Sequence, residues 1–133
     1  MPHTIVIFGA SGDLTHRKLV PALYNLFRKG RLPPDTRIVG FSRTEFTHNA
    51  WRADLKTALT KYVGKDFDET LWDKFAPNIY YHAGDIEQPD DFTKLATLLN
   101  EIENSENSTR VYYLATAPRF YGPAVEQLGR AGL

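Results

Sequence analysis

Four apolar residues, Ile5, Val6, Ile7 and Phe8, run directly into Gly9-Ala10-Ser11-Gly12, and an amphipathic helix pattern follows at once. The run is β-branched at its first three positions, which suits a parallel strand covered on both faces. A buried strand that stops at a glycine and feeds a helix leaves few folds open. Glycine tolerates positive φ and lets a phosphate approach the backbone. The first N–H groups of the following helix have no partners in their own helix, and the helix dipole favours negative charge there. Strand, turn and helix start together describe a pyrophosphate site. The spacing departs from the G-x-G-x-x-G fingerprint, because Ser11 holds no glycine and Thr15 replaces the small third residue. A strand–turn–helix joint that binds nothing is the competing reading.

The rest of the chain alternates strand and helix patterns. Leu19, Leu23, Leu26 and Phe27 recur at helical spacing and predict one buried face. Pro21 interrupts that pattern, which predicts a short turn over Leu14 to Arg17, then a main helix with Pro21 near its beginning. Arg37 to Phe41 reads as a second strand, and Asn49 to Tyr62 as a helix burying Trp51, Leu55, Ala58, Leu59 and Tyr62. Thr70 to Phe75 predicts a short helix, Asn78 to Ala83 a third strand, and Gln88 to Ile102 a third long helix. Glu103 to Thr109 is polar and reads as an exposed loop. Val111 to Ala115 is the fourth strand, and Arg119 to Arg130 the last helix. The expected fold is therefore α/β: a Rossmann-type doubly wound parallel sheet, four strands in order 3-2-1-4 with flanking helices.

In such a unit the carboxyl end of the second strand faces the adenosine ribose, where NAD enzymes place an acid on the 2′-hydroxyl. No acid stands from Gly40 to Thr44, and Arg43 can pair with a 2′-phosphate instead. A solvent-exposed arginine is the plain alternative. Asp85 follows the third strand and could accept a hydrogen bond from an adenine amine, with Ile86 packed on the ring. Asp85 could equally turn the backbone. Small residues at Thr116-Ala117-Pro118 leave room for a coenzyme crossing the sheet edge, or simply pack.

Composition narrows the class. The 133 residues carry 16 basic and 16 acidic side chains, a balance that argues against a nucleic-acid or membrane-surface protein. The absence of cysteine excludes disulfides, thiolate nucleophiles and cysteine metal sites. No signal peptide or membrane-length apolar run is visible, so the expectation is a soluble, cytoplasmic protein. His3, His16, His48 and His82 each read as surface or structural residues.

The segment from Gly9 to Leu26 resembles the amino-terminal segment of the glucose-6-phosphate dehydrogenases, and Tyr113 to Gly122 resembles a second hallmark of that family. The resemblance implies an NADP-binding domain over residues 1–133, with the substrate and dimerisation domain of a longer protein missing. It implies coenzyme contacts from Ile7, Phe8, Gly9, Ala10, Ser11, Gly12, Asp13 and Leu14, from Arg43 on the 2′-phosphate, from Asp85 and Ile86, and from Thr116, Ala117 and Pro118. Lys18 matches a family lysine near the sugar phosphate, with an exposed helix lysine as the alternative. The implied reaction oxidises glucose 6-phosphate to its lactone with hydride transfer to NADP, the first step of the oxidative pentose phosphate pathway. The full-length protein is expected to form a homo-oligomer. The family's catalytic histidine segment is absent here, so this chain alone is expected to be inactive. A non-catalytic dinucleotide-binding sensor or interaction module is the alternative function.

Overall fold

The computed structural model describes residues 3–103 and 109–133. Strands β1 (His3–Phe8), β2 (Arg37–Ser42), β3 (Ile79–Ala83) and β4 (Thr109–Leu114) form one parallel sheet in the order β3-β2-β1-β4. The expected 3-2-1-4 order is thus observed. Helices α1 (Val20–Arg28), α2 (His48–Tyr62), α3 (Glu69–Phe75), α4 (Pro89–Glu103) and α5 (Tyr121–Arg130) connect and cover it. Among the described residues, no helix is long and apolar enough to cross a membrane.

β1 is central, and Val6, Ile7 and Phe8 are fully buried. Successive side chains of a strand alternate between faces. Ile7 and Ile38 therefore join Tyr24, Trp51, Leu55 and Phe75 in one core, while Val6, Phe8, Val39 and Phe41 join Phe92, Leu95 and Leu99 in the other. The predicted α1 face needs correction: Tyr24 is fully buried, whereas Leu26 lies 39% exposed. Tyr62, expected in the core, is also exposed, and its ring lies beneath Arg17 and Lys61.

The sheet's two outer edges differ. At β3, His48 Nδ1 accepts from the Tyr81 N–H at 2.8 Å and Arg52 Nε donates to the Ile79 carbonyl at 2.8 Å. These two residues, one turn apart on α2, occupy backbone groups that an open edge would offer to another chain. β4 pairs with β1, and Val111 and Tyr113 stand 51% and 42% exposed on one of its faces.

The expected main helix with Pro21 near its beginning is observed, since Pro21 stands in the first turn of α1. The short turn expected before it is a π-helical turn, Thr15–Leu19, that runs straight into α1, with the Val20 N–H bonded to the Thr15 carbonyl. The wider turn lets the chain accept Pro21 without breaking, since proline offers no N–H and crowds the preceding turn. Glu103 is not in an exposed loop but is 3% exposed at the end of α4. It accepts from Thr4 Oγ1 at 2.9 Å and from Arg110 Nη2 at 2.6 Å, fastening α4 to β1 and β4. Burial pushes its carboxyl up, but the hydrogen bonds from Arg110 and Thr4 outweigh that and hold it below the ordinary range. Residues 104–108 of the predicted loop lie outside the described residues.

Candidate functional site

A cleft of about 330 Å³ opens at the carboxyl ends of the four strands. Gly9, Ser11 and Gly12 enter it from the end of β1, and Phe41 to Thr44 from the end of β2. Gly84 to Ile86 follow β3, while Ala115 to Ala117 and Phe120 follow β4. From β1 the chain winds one way to β2 and β3, then crosses to β4 on the other side. Ligands of open α/β sheets bind at such a switch point.

The glycine turn is held from several directions. Gly9 has φ +87° and its N–H donates to the Phe41 carbonyl at 2.9 Å. A Cβ on Gly9 would stand 2.4 Å from the Ala115 carbonyl oxygen, so β4 and the turn approach closely only because this residue lacks one. Gly12 differs: its N–H donates to the Gly9 carbonyl at 3.0 Å, and a Cβ there would meet only that oxygen, at 3.2 Å. Thr15, the departure from the fingerprint, is fully buried and donates its hydroxyl to the Gly9 carbonyl at 3.0 Å. A hydroxyl thus ties helix to turn where a small residue would only pack.

The Arg43 segment is braced from β3. The Tyr81 hydroxyl donates to the Thr44 carbonyl at 2.6 Å and is hydrogen-bonded to the Ser42 hydroxyl. Burial pushes the Tyr81 hydroxyl above its ordinary value, so it stays a neutral donor. Thr44 Oγ1 donates to Ser11 Oγ at 3.1 Å, joining the first two turns across the cleft mouth. Arg43 is exposed and forms no ion pair with another described residue. Asp85 Oδ1 accepts from the Glu87 N–H at 2.9 Å, the backbone-turning role weighed above, while the residue still lines the cleft. Ile86 is nearly buried beside it. The Thr116 hydroxyl is buried with no partner among the described residues.

The structure therefore brings Gly9, Ser11, Gly12, Arg43, Asp85, Ile86, Thr116 and Ala117 to one cleft. Ile7, Phe8 and Ala10 are fully buried in the frame beneath it. Asp13 points its carboxylate at Arg17 (3.3 Å), and Leu14 is 45% exposed; neither lines the cleft. Pro118 and Lys18 are exposed outside the lining. Phe41, Ser42, Thr44, Gly84, Ala115 and Phe120 also line it. Most of these sit within three residues of a strand's carboxyl end, a positional signal the sequence carried once the strands were assigned. Phe120 comes instead from a 3₁₀ turn, Pro118–Phe120, that periodicity merges with α5.

Residues 6–133 match the family model described as "Glucose-6-phosphate dehydrogenase, NAD binding domain". The chain belongs to the glucose-6-phosphate dehydrogenase family. The glucose-6-phosphate 1-dehydrogenase of Aggregatibacter actinomycetemcomitans is 42% identical over 132 residues, covering 97% of this chain and 26% of that protein. The glucose-6-phosphate 1-dehydrogenase of Chlamydia pneumoniae is 34% identical over 131 residues, with the same shares covered. A solved glucose-6-phosphate dehydrogenase, in complex with its substrate glucose-6-phosphate, superposes with a TM-score of 0.87 at 32% identity, covering 97% of this chain and 27% of its own. The chain thus spans about a quarter of the length of these glucose-6-phosphate dehydrogenases.

Proposed function

We propose that the cleft binds NADP in preference to NAD, as the dinucleotide-binding domain, residues 1–133, of a longer cytoplasmic protein that oxidises glucose 6-phosphate to its lactone. One observation carries the coenzyme reading: the turns after all four strands converge on one cleft containing a glycine turn and an arginine that forms no ion pair with another described residue. The residues present fit the group. A side chain is lacking at Gly12, where a helix begins, and the buried Thr116 hydroxyl has no partner among the described residues. The glycine turn would hold the pyrophosphate, Arg43 the 2′-phosphate, and Asp85 with Ile86 the adenine, leaving Thr116 to Pro118 nearest the nicotinamide. The coenzyme, when bound, supplies the hydride-accepting ring.

What these residues do is bind and orient. The cleft lining holds no histidine, and its one carboxylate, Asp85, already turns the backbone at Glu87. No proton acceptor for the sugar hydroxyl is assigned to this cleft. Lys18, exposed on the π-helical turn, is proposed to lie towards the sugar phosphate. The substrate, and self-association of the longer protein, rest on the family alone.

Calorimetric titration of NADP and NAD against the wild type and Arg43→Ala tests the assignment. A hydrogen bond to a charged group contributes about 1.5–3 kcal/mol, so Arg43→Ala should lose about tenfold or more in NADP affinity and little in NAD affinity. Equal NADP affinity in the two proteins refutes it.

A further inference from the structure

We infer that His16 is a positioning residue. Carrying a proton on each ring nitrogen, it pins the Gly12 carbonyl to Asp54 of α2 and so holds the glycine turn in its phosphate-accepting shape. The inference deepens the coenzyme reading above and rests on it for its binding consequence.

His16 stands on the π-helical turn, 19% exposed, with its Nδ1 2.8 Å from the Gly12 carbonyl oxygen and its Nε2 against Asp54 Oδ2. Both partners are acceptors: a carbonyl has no hydrogen to give, and neither has a carboxylate. A neutral imidazole carries one N–H, so either tautomer leaves a ring lone pair facing an oxygen lone pair. Only the imidazolium satisfies both contacts. The remaining charges nearby are otherwise engaged. Asp13 pairs with Arg17 at 3.3 Å, and Arg17 and Lys61 both lie over the Tyr62 ring of α2. Lys18 is exposed, and Asp54, 41% exposed, is the carboxylate that α2 brings to the ring.

The consequence reaches the turn through the planarity of the peptide. The Gly12 carbonyl and the Asp13 N–H belong to one rigid unit, so holding the oxygen also aims the N–H. That N–H belongs to the first turn of the helix, whose donors bind anions. The imidazolium also puts a positive charge beside the turn. Loss of its proton removes the charge and one of the two restraints together.

Measure NADP affinity of the wild type, His16→Gln and Asp54→Asn from about pH 5.5 to about pH 8.5, the span across which histidines change charge. The 2′-phosphate titrates in the same span, but its ionisation cancels in the ratio of variant to wild-type Kd. That ratio should be about threefold or more at the acid end, the effect of one net hydrogen bond, and fall towards one at the alkaline end. In the free protein, nitrogen NMR should show both His16 ring nitrogens protonated at the acid end. The Asp13 amide shift should follow the His16 titration and lose that dependence in His16→Gln. A pH-independent ratio in a wild type that binds NADP overturns the proposal, as does an Asp13 amide indifferent to His16. Should the wild type fail to bind NADP at any pH, the coenzyme reading fails, while the amide titration still decides whether His16 grips the turn.

Discussion

Gly9→Ala and Gly12→Ala, three residues apart in one turn, should differ sharply in what they cost the fold. At Gly9 the backbone has φ +87°, where an L side chain costs about 1–2 kcal/mol. The added Cβ would also stand 2.4 Å from the Ala115 oxygen and 2.8 Å from its carbonyl carbon. Those are backbone atoms, and Ala115 is itself bonded to β1 through its N–H to the Phe8 carbonyl at 2.9 Å. Relief therefore requires prising the end of β4 from β1, an overpacking cost of about 1–3 kcal/mol. Alanine restricts the unfolded chain and recovers about 0.4–1 kcal/mol, leaving a net loss of about 1–4.5 kcal/mol. At Gly12 the backbone is not left-handed, and the only close contact is the Gly9 oxygen at 3.2 Å. Gly12→Ala should fall within about 1 kcal/mol of the wild type, since alanine's disadvantage at a helix start is offset by its restriction of the unfolded chain. Urea denaturation reads the difference as a lower midpoint for Gly9→Ala at unchanged slope. In coenzyme titrations Gly12→Val should stay folded and lose NADP binding, because its branched side chain would stand in the turn proposed to hold the pyrophosphate. A Gly9→Ala variant as stable as Gly12→Ala would refute the steric argument.

Two further predictions concern the ends of the sheet. Arg110→Ala leaves the Glu103 carboxylate buried without its main partner and should cost about 3 kcal/mol in chemical denaturation. Because the Glu103 carboxyl is held below its ordinary value in the fold, its stabilisation is present above the unfolded carboxylate value of about 4.3 and is lost as pH falls through the lower native one. A wild type and Glu103→Gln that lose stability in parallel from pH 5 downwards would contradict that. At the other edge, burial first, then the positive Arg52 and the neighbouring His82, hold His48 below its ordinary value, so the native state keeps it neutral as an acceptor for the Tyr81 N–H. Its contribution should be complete above about pH 6.5 and decline on acidification, and His48→Ala should lose about 1 kcal/mol at neutral pH and show a shallower acid slope. Unaltered slope in thermal melts would rule this out.

The candidate site was legible wherever function lies in positions close along the chain. The glycine turn after β1, Arg43 after β2, Asp85 after β3 and Thr116 after β4 all follow from locating four strand ends. Their convergence then follows from parallel strands whose carboxyl ends share one edge. Thr15 looked like a defect in a motif. Its use as a hydroxyl tie to Gly9 depends on where a π-helical turn puts it. Asp85 remained open between turning and binding, and the Glu87 contact occupies one of its oxygens without removing it from the cleft.

What the amino-acid sequence determined by itself is the set of elements and the order of the sheet. Apolar periodicity, glycine and proline act over a few residues, and the chirality of parallel crossovers leaves few ways to assemble four such units. Tertiary structure decided which polar side chains matter. Glu103 meets Thr4 across 99 residues, Tyr81 meets Ser42 across 39, and His16 meets Asp54 across 38. A polar residue reads as exposed unless a partner is known to lie beside it, and that partner is set by the fold. Burial of Glu103, bracing of the Arg43 segment and the grip on Gly12 are consequences of those distant pairings, because a polar group taken from water costs free energy unless a partner satisfies it.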